Sequence, residues 1–257
     1  MLTIKLNDGN YDSPHQEPMW PCSQFPSICF YPRAFQIIWN AAQMAKQGIY
    51  TDGDWAKSSF NILRALEDCG VKFQVRGMEH VCASTEPCVF IGNHMSTLET
   101  FILPSLIAPY RRTTFIVKQN LVEYPLFKHV MRARNPVVVN RTNAREDLKT
   151  VLNQGCERLR NGISIIVFPQ TTRTATFDAE QFNSIGIKLA RKAGVPIIPL
   201  ALKTDAWSNG KRFKDFGAIE PDKKVYFEFG TKIDSSANSR EIQDTIVQFI
   251  QDNLQRW

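Results

Sequence analysis

The sequence predicts an α/β fold, a mostly parallel sheet flanked by helices, with an N-terminal helical extension. From about residue 71 the chain carries short strand candidates that are apolar throughout, as is typical of strands buried on both faces of a sheet. These candidates alternate with helical segments, and that order favours parallel strand pairing. The chain has 257 residues, of which 43% are hydrophobic. Such a length and composition predict one large domain, or one domain with a small appendage, and exclude a disordered or disulfide-dense protein.

The N-terminal part is predicted to form an arm followed by a helical pair. Residues 1–32 hold five of the 14 prolines and show no clear periodicity, so we expect an irregular arm there. Residues 33–70 contain two helical segments, 33–47 and 54–69. In the second segment, large apolar residues recur at helical spacing, which predicts a face turned toward the core.

The remaining residues, 71–257, are predicted to form a single α/β domain. Apolar runs give the strand candidates, which are residues 88–92, 113–118, 136–140, 164–168, 196–202 and 224–229. Helical segments follow most of them, near residues 97–106, 124–134, 145–161, 179–192 and 239–254. This alternation predicts that helices flank the sheet.

The charge balance favours anionic partners. The chain has 31 Lys and Arg against 25 Asp and Glu, a formal net charge of +6. Such a surplus suits phosphorylated substrates or an anionic membrane surface. The basic residues are scattered rather than arranged in one stripe, and no recognised binding motif is present. We therefore expect no nucleic-acid partner.

The cysteines and histidines do not predict a metal site. None of the six cysteines forms a Cys-x-x-Cys pair, and the four histidines add no finger-like spacing. Free thiols in a reducing cytosol are expected, since the start of the chain lacks the apolar run of a signal peptide. No uncharged apolar stretch approaches about 18 residues, so any work at a membrane is expected at its surface.

Polar side chains follow several of the predicted strands. In an open α/β sheet, ligands gather beyond the carboxyl ends of the strands, so these side chains are the site candidates. An imidazole, a carboxylate, an amide and several cations are among them. The candidates are His94, Glu99, Lys118, Arg141, Gln170, Thr171, Thr172 and Arg173. This combination suits a base that acts near an anionic group.

These residues resemble the motifs of the glycerophosphate and lysophospholipid acyltransferase family, which includes the lysophosphatidic acid acyltransferases. The family's first motif, Asn-His-x4-Asp, is similar to residues 93–99, where a glutamate takes the last position. Its second motif ends in an arginine after a hydrophobic strand, which Arg141 matches. Its third, Phe-Pro-Glu-Gly-Thr-Arg, corresponds to residues 168–173, and its fourth, Val-Pro-Ile-Ile-Pro, matches residues 195–199 in full. The resemblance covers about residues 71–220.

The resemblance implies direct transfer of an acyl group from a thioester to a hydroxyl of a lysophospholipid or glycerophosphate-type acceptor. The donor is acyl-coenzyme A or acyl carrier protein, and neither a further cofactor nor a metal ion is implied. His94 is the implied general base, and Glu99 holds the other imidazole nitrogen. Arg141 and Arg173 are implied phosphate ligands, and Lys118 is implied to bind phosphate or the developing oxyanion.

The third motif departs from the family pattern at two positions. Gln170 replaces a glutamate and removes a negative charge from the acceptor pocket, while Thr171 replaces a glycine. Thr172 belongs to the same loop. These changes bear on the acceptor more than on the reaction type. Two alternatives stay open, a non-catalytic lipid-binding relative and an acyltransferase that acts on a different lipid or alcohol.

The first motif also has a structural interpretation. Ser96 and Glu99 fit a capping box, in which the serine caps a helix and the glutamate binds back to the backbone. The two roles are compatible, because a glutamate in the first turn points back toward the strand end that carries His94.

The expected location is the cytoplasmic, inner face of a membrane, with the protein bound peripherally. Residues 33–47 carry Phe35 and Trp39, as an interfacial membrane helix does, although an ordinary helix packed on the domain has the same pattern. Clusters of basic residues could rest on anionic headgroups. The clusters are Arg111 and Arg112, Arg132 and Arg134, Lys211, Arg212 and Lys214, and Lys223 and Lys224. If the acyl donor is a carrier protein, that protein is a further partner.

Overall fold

The computed structural model describes residues 6–257 apart from positions 16, 19, 126, 171, 212 and 213. The helices are α1 (Pro26–Lys46), α2 (Asp52–Asp68), α3 (Met78–Cys82), α4 (Leu98–Ile107), α5 (Gln119–Glu123), α6 (Lys128–Ala133), α7 (Ala144–Arg160), α8 (Ile185–Ala193) and α9 (Ser239–Arg256). The strands are β1 (Tyr11–Asp12), β2 (Phe73–Arg76), β3 (Val89–Gly92), β4 (Thr113–Lys118), β5 (Val137–Val139), β6 (Ser164–Val167), β7 (Ile197–Lys203) and β8 (Val225–Phe229).

These strands form one sheet in the order β1-β2-β8-β7-β3-β6-β4-β5. All neighbours from β7 to β5 are parallel, and β2 is parallel to β8, whereas β8 is antiparallel to β7 and β1 to β2. The predicted α/β fold with a mostly parallel sheet is confirmed. Every residue of β3 and β6 is buried, as their apolar runs predicted. The carboxyl ends of β3 to β7 therefore meet at one edge of the sheet.

Two hydrophobic cores lie on opposite faces of the sheet, and successive residues of β3 alternate between them. Phe90 belongs to the first core, whereas Val89 and Ile91 belong to the second. Helices α1, α2 and α4 contribute to the first core and α7, α8 and α9 to the second, with the buried residues Phe30, Leu63, Ile102, Val151, Leu189 and Ile246 among them. The N-terminal helical pair thus shares a core with the sheet.

The N-terminal arm is more ordered than the sequence predicts. Helix α1 begins at Pro26 rather than at residue 33, and Tyr11–Asp12 pair with β2, so the expectation of an irregular arm over residues 1–32 is corrected at these places. Proline is suited to the first turn of a helix, because its φ is already helical and no hydrogen bond is lost there. Burial of Phe30 then ties the first turns of α1 to the core.

Two predicted helices are shorter than expected, those near residues 124–134 and 179–192. Tyr124 precedes Pro125 and is extended, with ψ of 122°, which ends α5 and delays α6. Asn183 accepts a hydrogen bond from the N–H of Ile185 at 3.0 Å and donates to the carbonyl of Pro169. These bonds separate α8 from the short 3-10 turn before it. Strand β2 is not among the predicted strands, because its residues alternate between buried and half-buried.

In two of the basic clusters expected to rest on headgroups, one arginine is engaged within the protein. Arg111 is buried, and its guanidinium donates to the carbonyls of Val81, Ser84 and Glu86. The side chain of Arg134 is 7% exposed and pairs with an aspartate of α2. The expectation is therefore wrong for these two arginines. Within the described ranges, no helix combines the length and apolar character needed to cross a bilayer.

Candidate active site

The loop after β3 is fixed by contacts with β7. Gly92 ends β3, and a Cβ there would lie 2.9 Å from the carbonyl oxygen of Leu200, so the two strands approach too closely for a larger residue. Asn93 is buried; its amide donates to the carbonyl of Leu202 at 2.8 Å and accepts from the N–H of Leu202 at 2.9 Å. These bonds extend the pairing of β3 and β7 and hold the backbone that carries His94.

His94 and Glu99 form a hydrogen-bonded pair. The imidazole Nδ1 lies 2.8 Å from Glu99 Oε1. The Glu99 side chain is fully buried, while 18% of the His94 side chain is exposed. The imidazole stacks on the ring of Phe168, with centroids 4.5 Å apart and planes 6° apart. The carboxylate and the stacked ring therefore fix the orientation of the imidazole, and Nε2 is the nitrogen that Glu99 does not bind.

Glu99 is held at both carboxylate oxygens. Oε1 also accepts the N–H groups of Met95 at 2.7 Å and Ser96 at 2.9 Å, and Oε2 accepts the hydroxyl of Thr204 at 2.6 Å. Burial by itself would raise the pKa of Glu99, but the hydrogen bond and charge of His94, with the bonds from Thr204 and the backbone, outweigh burial and lower it. Glu99 is therefore ionised at neutral pH. Glu99 thus pairs with His94 and also accepts the N–H of Ser96, as a capping box requires of the glutamate. The N-cap residue of α4 is Thr97 rather than the expected Ser96, however, and it makes no side-chain cap bond.

Gln170 supports the backbone of His94. Its Oε1 accepts the N–H of His94 at 2.7 Å, and its Nε2 donates to the hydroxyl of Thr174 at 2.8 Å. The N–H of Thr174 donates in turn to the carbonyl of His94 at 3.1 Å. Gln170 is 2% exposed, so both ends of its amide are used inside the protein. Thr171, which the sequence also singles out, lies outside the described residues.

Arg173 lies at the N-terminal end of α4. Its Nη2 is 2.8 Å from Oδ1 of Asp215, and its Nη1 donates to the hydroxyl oxygen of Thr97. The Thr97 hydroxyl donates to the same Asp215 oxygen at 3.0 Å. Thr97 is the N-cap residue of α4, and it is buried. The predicted phosphate ligand Arg173 is therefore already in contact with a carboxylate.

Arg173 is one of several cations whose charges act on Lys118. Lys118 ends β4 and is half-buried; burial lowers its pKa, and the positive charges of Arg141, Lys214 and Arg173 lower it further. Lys214 Nζ donates to the hydroxyl of Thr172 at 3.3 Å. We call Lys118, Arg141, Arg173 and Lys214 the basic cluster. Mutual repulsion within it favours the binding of an anion.

Arg141 follows β5 in a tight turn. Its φ is 58°, in the left-handed region that few residues other than glycine adopt. The carboxylate of Asp147 on α7 accepts the N–H groups of Asn140 at 3.0 Å and Arg141 at 2.8 Å. These bonds stabilise the turn and set the direction of the chain at Arg141.

Sequence reasoning missed four residues of this site, Thr97, Thr204, Lys214 and Asp215. Thr204 directly follows β7, so the rule that ligands gather at strand ends contained a signal for it. Asp215 lies in the long connection between β7 and β8, where no pattern distinguishes it. The sequence singles out Lys214, in the same connection, only as part of a basic cluster for headgroups. Across the described part of the chain, no group of three or more His, Cys, Asp or Glu side chains is placed to hold a metal ion.

One protein family matches the part of the chain that carries most of the residues of the candidate site. The sequence profile of the family described as Acyltransferase matches residues 72–203. A solved structure with a similar fold is that of the 1-acyl-sn-glycerophosphate (LPA) acyltransferase PlsC from Thermotoga maritima. Its TM-score is 0.67 at 20% sequence identity, and the alignment covers 90% of this chain and 93% of that chain.

Two relatives are similar at the level of sequence. A 1-acyl-sn-glycerol-3-phosphate acyltransferase from Pseudomonas aeruginosa is 30% identical over 148 residues, which is 58% of this chain and 55% of the relative. A protein named probable 1-acyl-sn-glycerol-3-phosphate acyltransferase from Mycoplasma pneumoniae is 31% identical over 204 residues, which is 71% of this chain and 74% of the relative. The chain thus spans about half the length of the Pseudomonas relative and about three quarters of the Mycoplasma relative.

Proposed function

Because the chain belongs to the acyltransferase family, we propose that it transfers a fatty acyl group from an acyl thioester to a hydroxyl of a lysophospholipid or related glycerophosphate. The names of the Pseudomonas and Mycoplasma relatives support this acceptor class. The observation that carries the proposal is the His94–Glu99 pair at the carboxyl edge of the sheet. The basic cluster is drawn from the loops and strand ends of the same edge. The donor is acyl-coenzyme A or an acylated carrier protein.

In the proposed reaction, His94 acts as a general base. Its Nε2 removes the proton of the acceptor hydroxyl while the hydroxyl oxygen attacks the thioester carbonyl carbon. The carbonyl π electrons move to oxygen, and they return as the carbon–sulfur bond breaks. The leaving thiolate takes the proton from the imidazolium, so the products are an ester and a free thiol. No protein nucleophile is acylated in this scheme.

Glu99 prepares the imidazole for this step. An ionised carboxylate on Nδ1 keeps the proton on that nitrogen, which leaves Nε2 as the acceptor, and it stabilises the imidazolium once the proton is taken up. The hydroxyl of Thr204 and the backbone N–H groups hold Glu99 itself in place.

The basic cluster is the proposed site of the acceptor phosphate. Guanidinium groups bind phosphate oxygens through paired N–H donors, so Arg173 and Arg141 suit this role. Lys118 supplies a further positive charge, either to the phosphate or to the carbonyl oxygen as it becomes negative. Thr172 belongs to the loop that carries Arg173, and we assign it to the acceptor pocket. Gln170 shapes the pocket only indirectly, because its buried amide holds the backbone of His94.

We also propose that α1 contacts a membrane surface, on which the lipid acceptor is held. Exposed apolar residues recur three, four or seven positions apart from the N-cap residue of α1 onward. We call these residues the α1 apolar face; they are Phe25, Ile28, Pro32, Phe35 and Trp39. Ile28 is 71% exposed, and the rings of Phe35 and Trp39 stack with centroids 6.1 Å apart. An apolar surface of this kind is typical of helices that lie in a membrane interface. Binding would be peripheral, and we assign it to the inner leaflet.

Identification of the product tests the proposed function. The full chain is incubated with lysophosphatidate in mixed vesicles and with labelled acyl-coenzyme A or, in parallel, a labelled acyl carrier protein. We expect labelled phosphatidate and free thiol in equal amounts with at least one donor. A panel of lysophospholipids, glycolipids and soluble alcohols tests the other acceptors. No acylated product with any donor and acceptor would refute the proposal and favour a non-catalytic lipid-binding protein.

A further inference from the structure

Arg173 and Thr97 hold a carboxylate oxygen between them. Oδ1 of Asp215 lies 2.8 Å from Arg173 Nη2 and accepts the Thr97 hydroxyl at 3.0 Å. A charged guanidinium and a hydroxyl that converge on one anionic oxygen make the arrangement that also binds a phosphate oxygen. Asp215 therefore occupies a ready-made anion site.

The surrounding charge does not favour Asp215 over a phosphate. The positive charges of Arg141, Lys214 and Arg173 all act on Lys118, so the four cations belong to one group. Asp215 brings a single negative charge to this group, whereas a phosphate monoester brings up to two and has three oxygens to share among the donors. An acceptor phosphate is therefore the better partner for the cluster as a whole.

The contact between Asp215 and Arg173 is suited to exchange. The Asp215 side chain is 41% exposed, so water can solvate it when it leaves, while that of Arg173 is only 16% exposed. Ion pairs with one partner at the surface contribute little to stability. Arg173 also keeps its bond to Thr97 when Asp215 departs, so the site retains its shape.

The backbone next to Asp215 is anchored. The hydroxyl of Tyr31 on α1 donates to the carbonyl of Gly217, and a Cβ at Gly217 would lie 1.7 Å from the carbonyl oxygen of Ser208. The chain at Gly217 is therefore packed closely against its neighbours. We therefore expect the exchange to involve rotation of the Asp215 side chain rather than movement of the whole loop.

We propose that Asp215 is a placeholder for the acceptor's phosphate, holding Arg173 and Thr97 until a phosphate monoester displaces it. The inference rests on the proposed function, because it assigns the acceptor phosphate to Arg173. In this arrangement Asp215 competes with every anion at the site, so it selects for ligands that carry more than one negative charge. A carboxylate ligand, with a single charge, gains little by replacing it.

The test uses two probes, inorganic phosphate and lysophosphatidate. In D215N and D215S, isothermal titration should show inorganic phosphate binding about two- to fivefold more tightly than in the wild type, the range expected for loss of a partly exposed ion pair. The KM for lysophosphatidate should fall by a similar factor. D215E should resemble the wild type, and R173Q should lose phosphate binding. E220Q serves as the matched control, because Glu220 pairs with Lys223 instead, at 2.9 Å.

The outcomes separate this inference from the proposed function. If D215N and D215S bind phosphate no more tightly than the wild type, or have a higher KM, Asp215 merely orients Arg173 and the inference is overturned. If the wild type forms no acylated lipid, the proposed function fails, whatever the phosphate titration shows. Product formation by the wild type without tighter phosphate binding in D215N and D215S overturns the placeholder alone.

Discussion

At Glu99, one carboxylate connects two segments that are far apart in the sequence. Oε1 contacts His94 Nδ1 at 2.8 Å, and Oε2 accepts the hydroxyl of Thr204 at 2.6 Å. The charge is kept inside the protein because hydrogen bonds replace the water that a buried carboxylate loses. The same contacts that would orient the imidazole for catalysis therefore also stabilise the end of β7 against α4.

Stability should depend on pH through Glu99. Its pKa in the folded protein is lowered from the ordinary value of 4.5, so the unfolded chain takes up a proton first as the pH falls. The stabilisation is present above about pH 4.5 and is lost as the pH falls through the lowered value. In E99Q the free energy of unfolding should fall less steeply with acidification, by at most about 1.4 kcal/mol per pH unit. Urea unfolding of both proteins from pH 6 to pH 3 measures this, and parallel curves would contradict it.

Gln170 should contribute to stability through its two hydrogen bonds. Q170L keeps most of the volume but leaves the N–H of His94 without its acceptor, which should cost about 1–3 kcal/mol of unfolding free energy. T174V removes only the hydroxyl at the other end of the amide, so its loss should be smaller. Urea unfolding of both variants measures these losses of unfolding free energy. A Q170L protein as stable as the wild type would show that this bond is unimportant.

At the scale of elements, α1 is apolar on two opposite sides. One side buries Phe30, Ala34 and Ala41 in the first core. The α1 apolar face lies on the other side and remains exposed. A surface helix that only completes a core needs one apolar side, and its outer side is normally polar. Packing therefore explains half of the pattern, and the proposed membrane contact accounts for the rest.

The α1 apolar face should control binding to lipid vesicles. The double variant F35S/W39S removes two exposed, stacked rings and should lower the vesicle-bound fraction at least severalfold, because each ring loses its burial in the interface. Flotation with anionic vesicles measures this fraction. W257S is the control, since Trp257 stacks on Tyr226 outside this face, with centroids 4.9 Å apart. Equal flotation of F35S/W39S and the wild type would contradict the membrane proposal.

At the scale of the whole molecule, the sheet was largely predictable and its borders were not. Apolar runs such as that of β3 are long enough to indicate burial on both faces, and all six predicted strands are present. The boundaries of α1 and α8 depend on contacts with distant residues, such as the bond between Asn183 and the carbonyl of Pro169. The sequence near each boundary does not record such contacts.

The residues of the candidate site also differ in how far the sequence predicts them. Lys118 ends a strand, and His94, Glu99, Arg141 and Arg173 lie in the segments that come soon after strands, so their position in the chain singles them out. Thr204 and Asp215 come after β7 in the chain, and only the folded structure shows that they contact Glu99 and Arg173. The sequence also does not predict that Gln170 holds the backbone of His94, because it does not distinguish a buried amide from one that lines a pocket.

The most direct test of the central claim is the turnover of H94A with saturating acyl donor and lysophosphatidate. The variant should keep the circular dichroism spectrum of the wild type and its affinity for inorganic phosphate, because the basic cluster is untouched. Loss of the general base should lower kcat by about 10²- to 10⁴-fold. A folded H94A protein whose kcat stays within about threefold of the wild type would contradict the assignment of His94 as the base.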